Sequence, residues 1–146
     1  MNLGKRREAR ILAMKALYIY EMNEVREIES ILDEVFELEE NLTDDVKKYA
    51  VNLTNKVILY YDKLNKLIND ATKNWKIERM AVIDKNILRI ALVEIYLQDK
   101  VPDVVAIDEA IEIAKEYSTD DSGSFVNGIL DFIIKNKKEF EKKLDN

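Results

Sequence analysis

Lys5, Arg6, Arg7 and Arg10 place four cations within the six residues of the run KRREAR. Guanidinium and ammonium groups at this density neutralise phosphates, so a polyanionic backbone is the ligand whose charge suits them. An aromatic ring beside such cations adds a surface on which an unpaired base stacks. At about 100° per residue, Arg7, Arg10, Met14 and Tyr18 share one stripe of a helix, which would hold cations and a ring side by side. A plainer reading exists for each part: basic residues near a terminus aid solubility, and Tyr18 is equally a half-buried core ring. Phe125 follows the polar stretch STDDSGS and either staples the helix it opens or presents its face to a ligand. Residue spacing leaves these alternatives open.

Composition narrows the chemistry. With no Cys and no His, the chain has no thiolate nucleophile, disulfide or Cys/His zinc site, and lacks the commonest general base near neutral pH. Its 29 Asp and Glu bring carboxylates to helical spacing by chance and read as solvated faces. Hydrolytic carboxylate pairs remain possible in principle, and no metal or other cofactor is expected. No apolar run reaches the ~18 residues of a membrane span, and the start lacks a secretory apolar segment, so a cytoplasmic location is the expectation. The net charge is −6, yet residues 1–15 carry five cations against Glu8 alone, and residues 135–146 carry five against three acids. An acidic body with a basic end repels nucleic acid except at one place.

The elements that must position these residues are helical. Hydrophobic residues make up 47% of 146, with three Gly and one Pro, which predicts a single all-α domain. Ala9, Leu12, Ala13, Ala16, Leu17 and Tyr20 form a core-facing stripe, so the first helix begins inside the basic run. NEVRE breaks the pattern. Ile28, Ile31, Leu32, Val35 and Phe36 mark a second helix, and Thr43, followed by Asp44 and Asp45, caps a third. That third stripe runs from Val46 through Leu64 and is long enough for one helix or two. KNWKIERM is the expected seam between sub-bundles at residues 1–76 and 77–146. ILRIALVEIYL is apolar almost all round, as a central helix should be, and Arg89 within it must reach a carboxylate or the bundle edge. Pro102 opens the next helix, which runs to about Tyr117. After STDDSGS, FVNGILDFII forms a last core helix before the lysine-rich end, with Gly128 explained by a closely packed neighbour.

Three separated runs, RREARILAMKALYIYE, IDKNILRIALVEI and VPDVVAIDEAIEIAKEYSTDDSGSFVNGIL, resemble the NusB family of bacterial transcription antitermination factors in order and spacing. The resemblance extends from about Arg6 to Asp131 and is weakest between Val25 and Lys76. It implies an all-helical fold of about seven helices in two perpendicular sub-bundles, without catalytic activity. It further implies binding of boxA leader RNA as a single strand, jointly with the ribosomal protein NusE, within an RNA polymerase complex holding other Nus factors. Transcription of ribosomal RNA operons is the process served.

Carried over by position, Lys5, Arg6, Arg7 and Arg10 would hold the RNA backbone. Tyr18 would lie near the shared RNA and NusE surface, and Asp121 and Phe125 would contact RNA, Phe125 by stacking. Asp84 would face NusE at the start of the central helix, and Lys115 is a further RNA candidate from the neighbouring helix. Glu8 departs from the family's arginine run and weakens phosphate attraction. Two other readings compete: the RNA-recruiting part of a ribosomal RNA cytosine methyltransferase, for which no cofactor-binding segment follows in the sequence, and a helical adaptor that homodimerises through its RNA surface.

Overall fold

A computed structural model of the chain describes residues 1–23, 25–72, 76–98 and 100–145. Among them are eight α-helices and no strand: α1 (Leu3–Met22), α2 (Ile28–Glu37), α3 (Asp44–Leu59), α4 (Tyr61–Ala71), α5 (Val82–Leu92), α6 (Asp103–Tyr117), α7 (Ser122–Lys135) and α8 (Lys137–Asp145). The first helix starts where Asn2 caps it, its Oδ1 accepting from the Lys5 amide at 2.8 Å, which satisfies one of the amides a helix start leaves without a partner. Buried Ala9, Leu12, Ala13, Ala16 and Leu17 follow the expected stripe. Their small and medium side chains let α1 pack on α2, α3 and α5, so it is the structural centre of the first half.

The uncertain third stripe divides into two helices at Tyr60, whose backbone leaves the helical region. Thr43 occupies the N-cap position of α3, but its hydroxyl turns to Asp45 instead of a backbone amide. Asn41 adopts a positive φ of 62° in the turn before it, a conformation that Asn tolerates better than most residues. Part of the expected seam, residues 73–75, lies outside the described residues; Ile77–Arg79 beyond it form a short 3-10 turn. Glu24 in NEVRE likewise lies outside them.

The central segment behaves as its composition demands, since Ile87 through Ile95 are all buried. It does so in two pieces: α5 passes at Val93 into a π-helical turn, Val93–Leu97, that carries Glu94 inward. Such widened turns recur at functional positions. Arg89 does reach a carboxylate, donating from Nη1 to Glu21 at 2.6 Å and to Asn86 at 2.8 Å, and from Nε to Asn65 at 2.8 Å. Its guanidinium also lies 4.5 Å from the Tyr61 ring centroid. Burial pushes the Glu21 carboxyl upward, but the hydrogen bond from Lys85 and the charge of Arg89 outweigh it and hold Glu21 below the ordinary range. Sheltered Arg89 is thus satisfied on all sides.

In the second half α6 packs on α7 and α5, with Pro102 as the N-cap of α6 and not its first helical residue. The lysine-rich end forms a further helix, α8, because Phe140 and Leu144 dock beneath it. No helix among the described residues is long and apolar enough to cross a membrane. The packing explanation for Gly128 is corrected: a Cβ there would meet no atom within 4 Å.

Replacing Arg89 with Ala is expected to cost about 3 kcal/mol, because Glu21 and two amides lose their partner while Lys85 keeps part of the carboxylate's compensation. Gly128→Ala should instead stabilise the fold by up to about 1 kcal/mol, the helix-propensity difference, since nothing opposes the added methyl group. Urea unfolding checks both.

Candidate nucleic-acid interface

The basic run lies on the first two turns of α1, and the structure separates its four cations by what they touch. Arg7 makes a two-pronged pair with Glu109 of α6, Nε to Oε1 at 3.0 Å and Nη2 to Oε2 at 2.5 Å. That hydrogen bond and the carboxylate's charge raise the Arg7 pKa against a smaller opposing effect of burial. Arg10 reaches the same Glu109 from inside the core, with its side chain 2% exposed. There Nε donates to Glu94 at 2.8 Å and Nη1 to Glu109 at 3.1 Å. Tyr49 on α3 donates its hydroxyl to Glu94, and burial, followed by the Glu94 charge, drives the phenol pKa well above its ordinary value. Two arginines and two carboxylates thereby form a net-neutral quartet that binds α1 to the π-helical turn and to α6.

Arg10 is therefore a core residue, which corrects its assignment as a phosphate contact. An arginine this buried meets no external strand, and the stripe Arg7, Arg10, Met14 and Tyr18 is not one surface, because Met14 is buried as well. Lys5 remains outside, 3.9 Å from Asp45. Arg6 donates from Nη1 to the backbone carbonyl of Lys100 at 3.2 Å, and its guanidinium carbon lies 5.8 Å from the Tyr49 ring centroid.

Tyr18 is 41% exposed and lines an open hollow of about 320 Å³ with Met14, Lys15, Val35, Leu38 and Tyr117. Lys15 holds the middle of this region, its Nζ 3.8 Å from Glu39 and 5.7 Å from the Tyr117 ring centroid. Arg7, Lys15 and Tyr117 line the adjoining hollow, so the arginine end and the tyrosine end of α1 are joined through Lys15. The surface is continuous along α1 even though its middle arginine has turned inward.

The remaining candidates gather where α5, α6 and α7 meet. Asp121 is exposed at the N-cap of α7 and makes no capping bond with its side chain. Exposed Lys115 pairs with Glu112 at 3.6 Å, and its stem lies against Gly123, where an added Cβ would stand 3.0 Å from Lys115 Cγ. Phe125 is half-buried against the core, an intermediate position between the two roles its sequence context allowed. Asp84 is buried and accepts from the Ser122 hydroxyl at 3.0 Å. It ties the start of α5 to the start of α7, and its assignment as a residue facing a partner is corrected on that ground. Tyr117, on the last turn of α6, is the element that brings this junction to the Lys15 end of the α1 surface.

Sequence reasoning missed Glu94 and Glu109. A signal existed for Glu94, a lone carboxylate in an otherwise apolar run, the same argument that flagged Arg89. Glu109 sits on the buried side of α6 beside Ala106, Ala110 and Ile113, a position that the chance abundance of acids had obscured. Lys100 and Tyr117 carried no such signal.

The NusB family model matches residues 7–135. The chain belongs to the NusB family. Among its relatives, the transcription antitermination protein NusB of Bdellovibrio bacteriovorus is 43% identical over 136 residues, covering 92% of this chain and 98% of that one. The protein of the same description from Thermodesulfovibrio yellowstonii is 42% identical over 142 residues, covering 90% and 92%. The NusB-like fold is equally plain. A crystal form of T. maritima NusB superposes with a TM-score of 0.83 at 38% identity, covering 93% of this chain and 96% of that chain. A structure described as antitermination factors NusB and NusE in complex with dsRNA shares the fold at 22% identity, with a TM-score of 0.83 over 92% of this chain and 99% of that one.

The two NusB-family arginines should separate in urea unfolding. Arg10→Ala removes the cation between two buried carboxylates and is expected to cost about 3–5 kcal/mol. Arg7→Ala leaves Glu109 paired with Arg10 and removes a part-exposed bridge, so a loss of about 1 kcal/mol is expected.

Proposed function

We propose that this chain is a cytoplasmic transcription antitermination factor that binds boxA leader RNA as a single strand together with ribosomal protein NusE. It acts without catalysis, joining RNA polymerase and other Nus factors and promoting processive transcription of ribosomal RNA operons. The observation that carries this reading is the continuous face of α1, where cations anchored by the helix lead to the Tyr18 and Tyr117 rings. The names of the 42–43% identical relatives support it.

In this reading Lys5, Arg6 and Arg7 meet phosphates, while Tyr18 and Phe125 offer rings to unpaired bases. Lys115 and Asp121 border the strand at the α6–α7 junction, and Tyr18 also borders NusE. Arg10 and Asp84 serve from inside: Arg10 fixes the helix that presents Arg7, and Asp84 fixes the start of the helix that presents Phe125. Phosphate contacts give affinity and position without sequence choice, so the rings and base-edge contacts, together with NusE, provide selectivity.

The test is a fluorescence titration of boxA RNA at several salt concentrations, with and without NusE. Affinity should fall with salt at a logarithmic slope of about −0.7 per phosphate bound, and NusE should tighten binding. Changing Arg6 and Arg7 together to Ala should flatten the slope by about 0.7 for each phosphate no longer neutralised; a slope equal to that of the parent would remove these residues from the RNA site.

A further inference from the structure

We propose that Lys100, in the connection between the π-helical turn and α6, joins Arg6 in a phosphate-binding position for the RNA strand, extending the basic run of α1 onto a second segment of the chain. The proposal rests on the RNA-binding reading above and adds a residue that neither the sequence motifs nor the family resemblance singled out.

The pairing of charges along this face leads to it. Lys5, Arg7, Arg10 and Lys15 each have a carboxylate within 4 Å, at Asp45, Glu109, Glu94 and Glu39 respectively. Arg6 and Lys100 form no ion pair among the described residues. They converge instead on one aromatic ring, with the Arg6 guanidinium carbon 5.8 Å and the Lys100 ammonium 6.0 Å from the Tyr49 centroid. The Arg6 to Lys100 backbone hydrogen bond at 3.2 Å holds the two segments together.

Tyr49 is itself fixed, 5% exposed and anchored through its hydroxyl to Glu94. A ring quadrupole attracts cations but carries no net charge. Two positive groups gathered on it therefore keep their full field toward solvent, unlike the arginines of the neutral quartet. The Arg6 Nε donor is buried and meets no acceptor, whereas Lys100 is exposed. A phosphodiester, with one negative charge shared by two oxygens and no donor, matches a guanidinium and an ammonium gathered around one ring. RNA is favoured over an acidic peptide because Arg6 adjoins Lys5 at the start of the α1 face to which the RNA reading assigns the strand.

Lys100→Ala, Lys100→Glu and Lys100→Arg are compared with the parent protein using a fluorescent boxA single strand, with and without NusE, alongside thermal unfolding. Lys100→Ala should weaken RNA binding about five-fold without NusE and reduce the salt slope by about 0.7, the share of one phosphate. Lys100→Glu should weaken it further, and Lys100→Arg should restore parental binding, with unfolding temperatures unchanged throughout. Parental affinity and slope for Lys100→Ala would overturn this assignment while leaving the RNA reading intact. Weakened binding only when NusE is present would overturn it in favour of a protein contact. A parent with no salt-dependent affinity for the strand would overturn both.

Discussion

The pairing of Arg10 with Glu94 and Glu109 is the constraint on which the rest of the architecture turns. A guanidinium enclosed at 2% exposure is tolerated only with partners that return what water supplied, and these come from the π-helical turn and from α6. The requirement fixes α1 in rotation and in depth. Once Arg10 faces inward, Ala9, Leu12 and Ala13 face the core and Lys5, Arg7 and Lys15 are left toward solvent. Presentation of the cations is thus a by-product of satisfying one buried charge. A second buried cation, Arg89, closes the other end of α1 through Glu21. The helix is held at both ends by ions and along its middle by apolar contact.

Such an arrangement gives specificity of geometry at little gain in stability. Buried ion pairs often stabilise no more than well-packed apolar residues of similar volume would, because desolvation offsets attraction. Their effect here is directional: a hydrocarbon core would allow α1 to slide or rotate by a fraction of a turn, whereas two forked guanidiniums with fixed acceptors do not. For a surface that must offer cations and rings in register with a strand of regular spacing, that restriction is the useful outcome.

Much of the fold was legible because helical stripes report burial directly. The α1 stripe and the largely apolar central segment appear where their residues place them, whereas Thr43 precedes α3 without capping it by its side chain and α7 begins at Ser122, inside the stretch STDDSGS that read as a loop. The break at Tyr60 was not legible, since the apolar period continues across it and only the backbone departs. The α8 helix was hidden because its lysines outnumber the two residues, Phe140 and Leu144, that dock it. At the candidate site, the cluster of cations was visible in the sequence but its division was not. Helical phase puts Arg7 and Arg10 on one stripe, and which of them is enclosed depends on the distant Glu94 and Glu109. Asp84 was misread for the same reason: an acidic residue at a helix start is ordinarily solvated, and only its contact with Ser122 shows that it is not.

The partners of Arg7 and Arg10 lie between 84 and 102 positions later in the chain. During synthesis from the N-terminus, the first helix therefore leaves the ribosome with its arginines uncompensated, and α6 reaches them only after most of the polypeptide has been made. Such long-range closure is slow relative to local helix formation. The pairing that encloses Arg10 is consequently complete only when α6 has been made and docked, so the first helix acquires its final setting late.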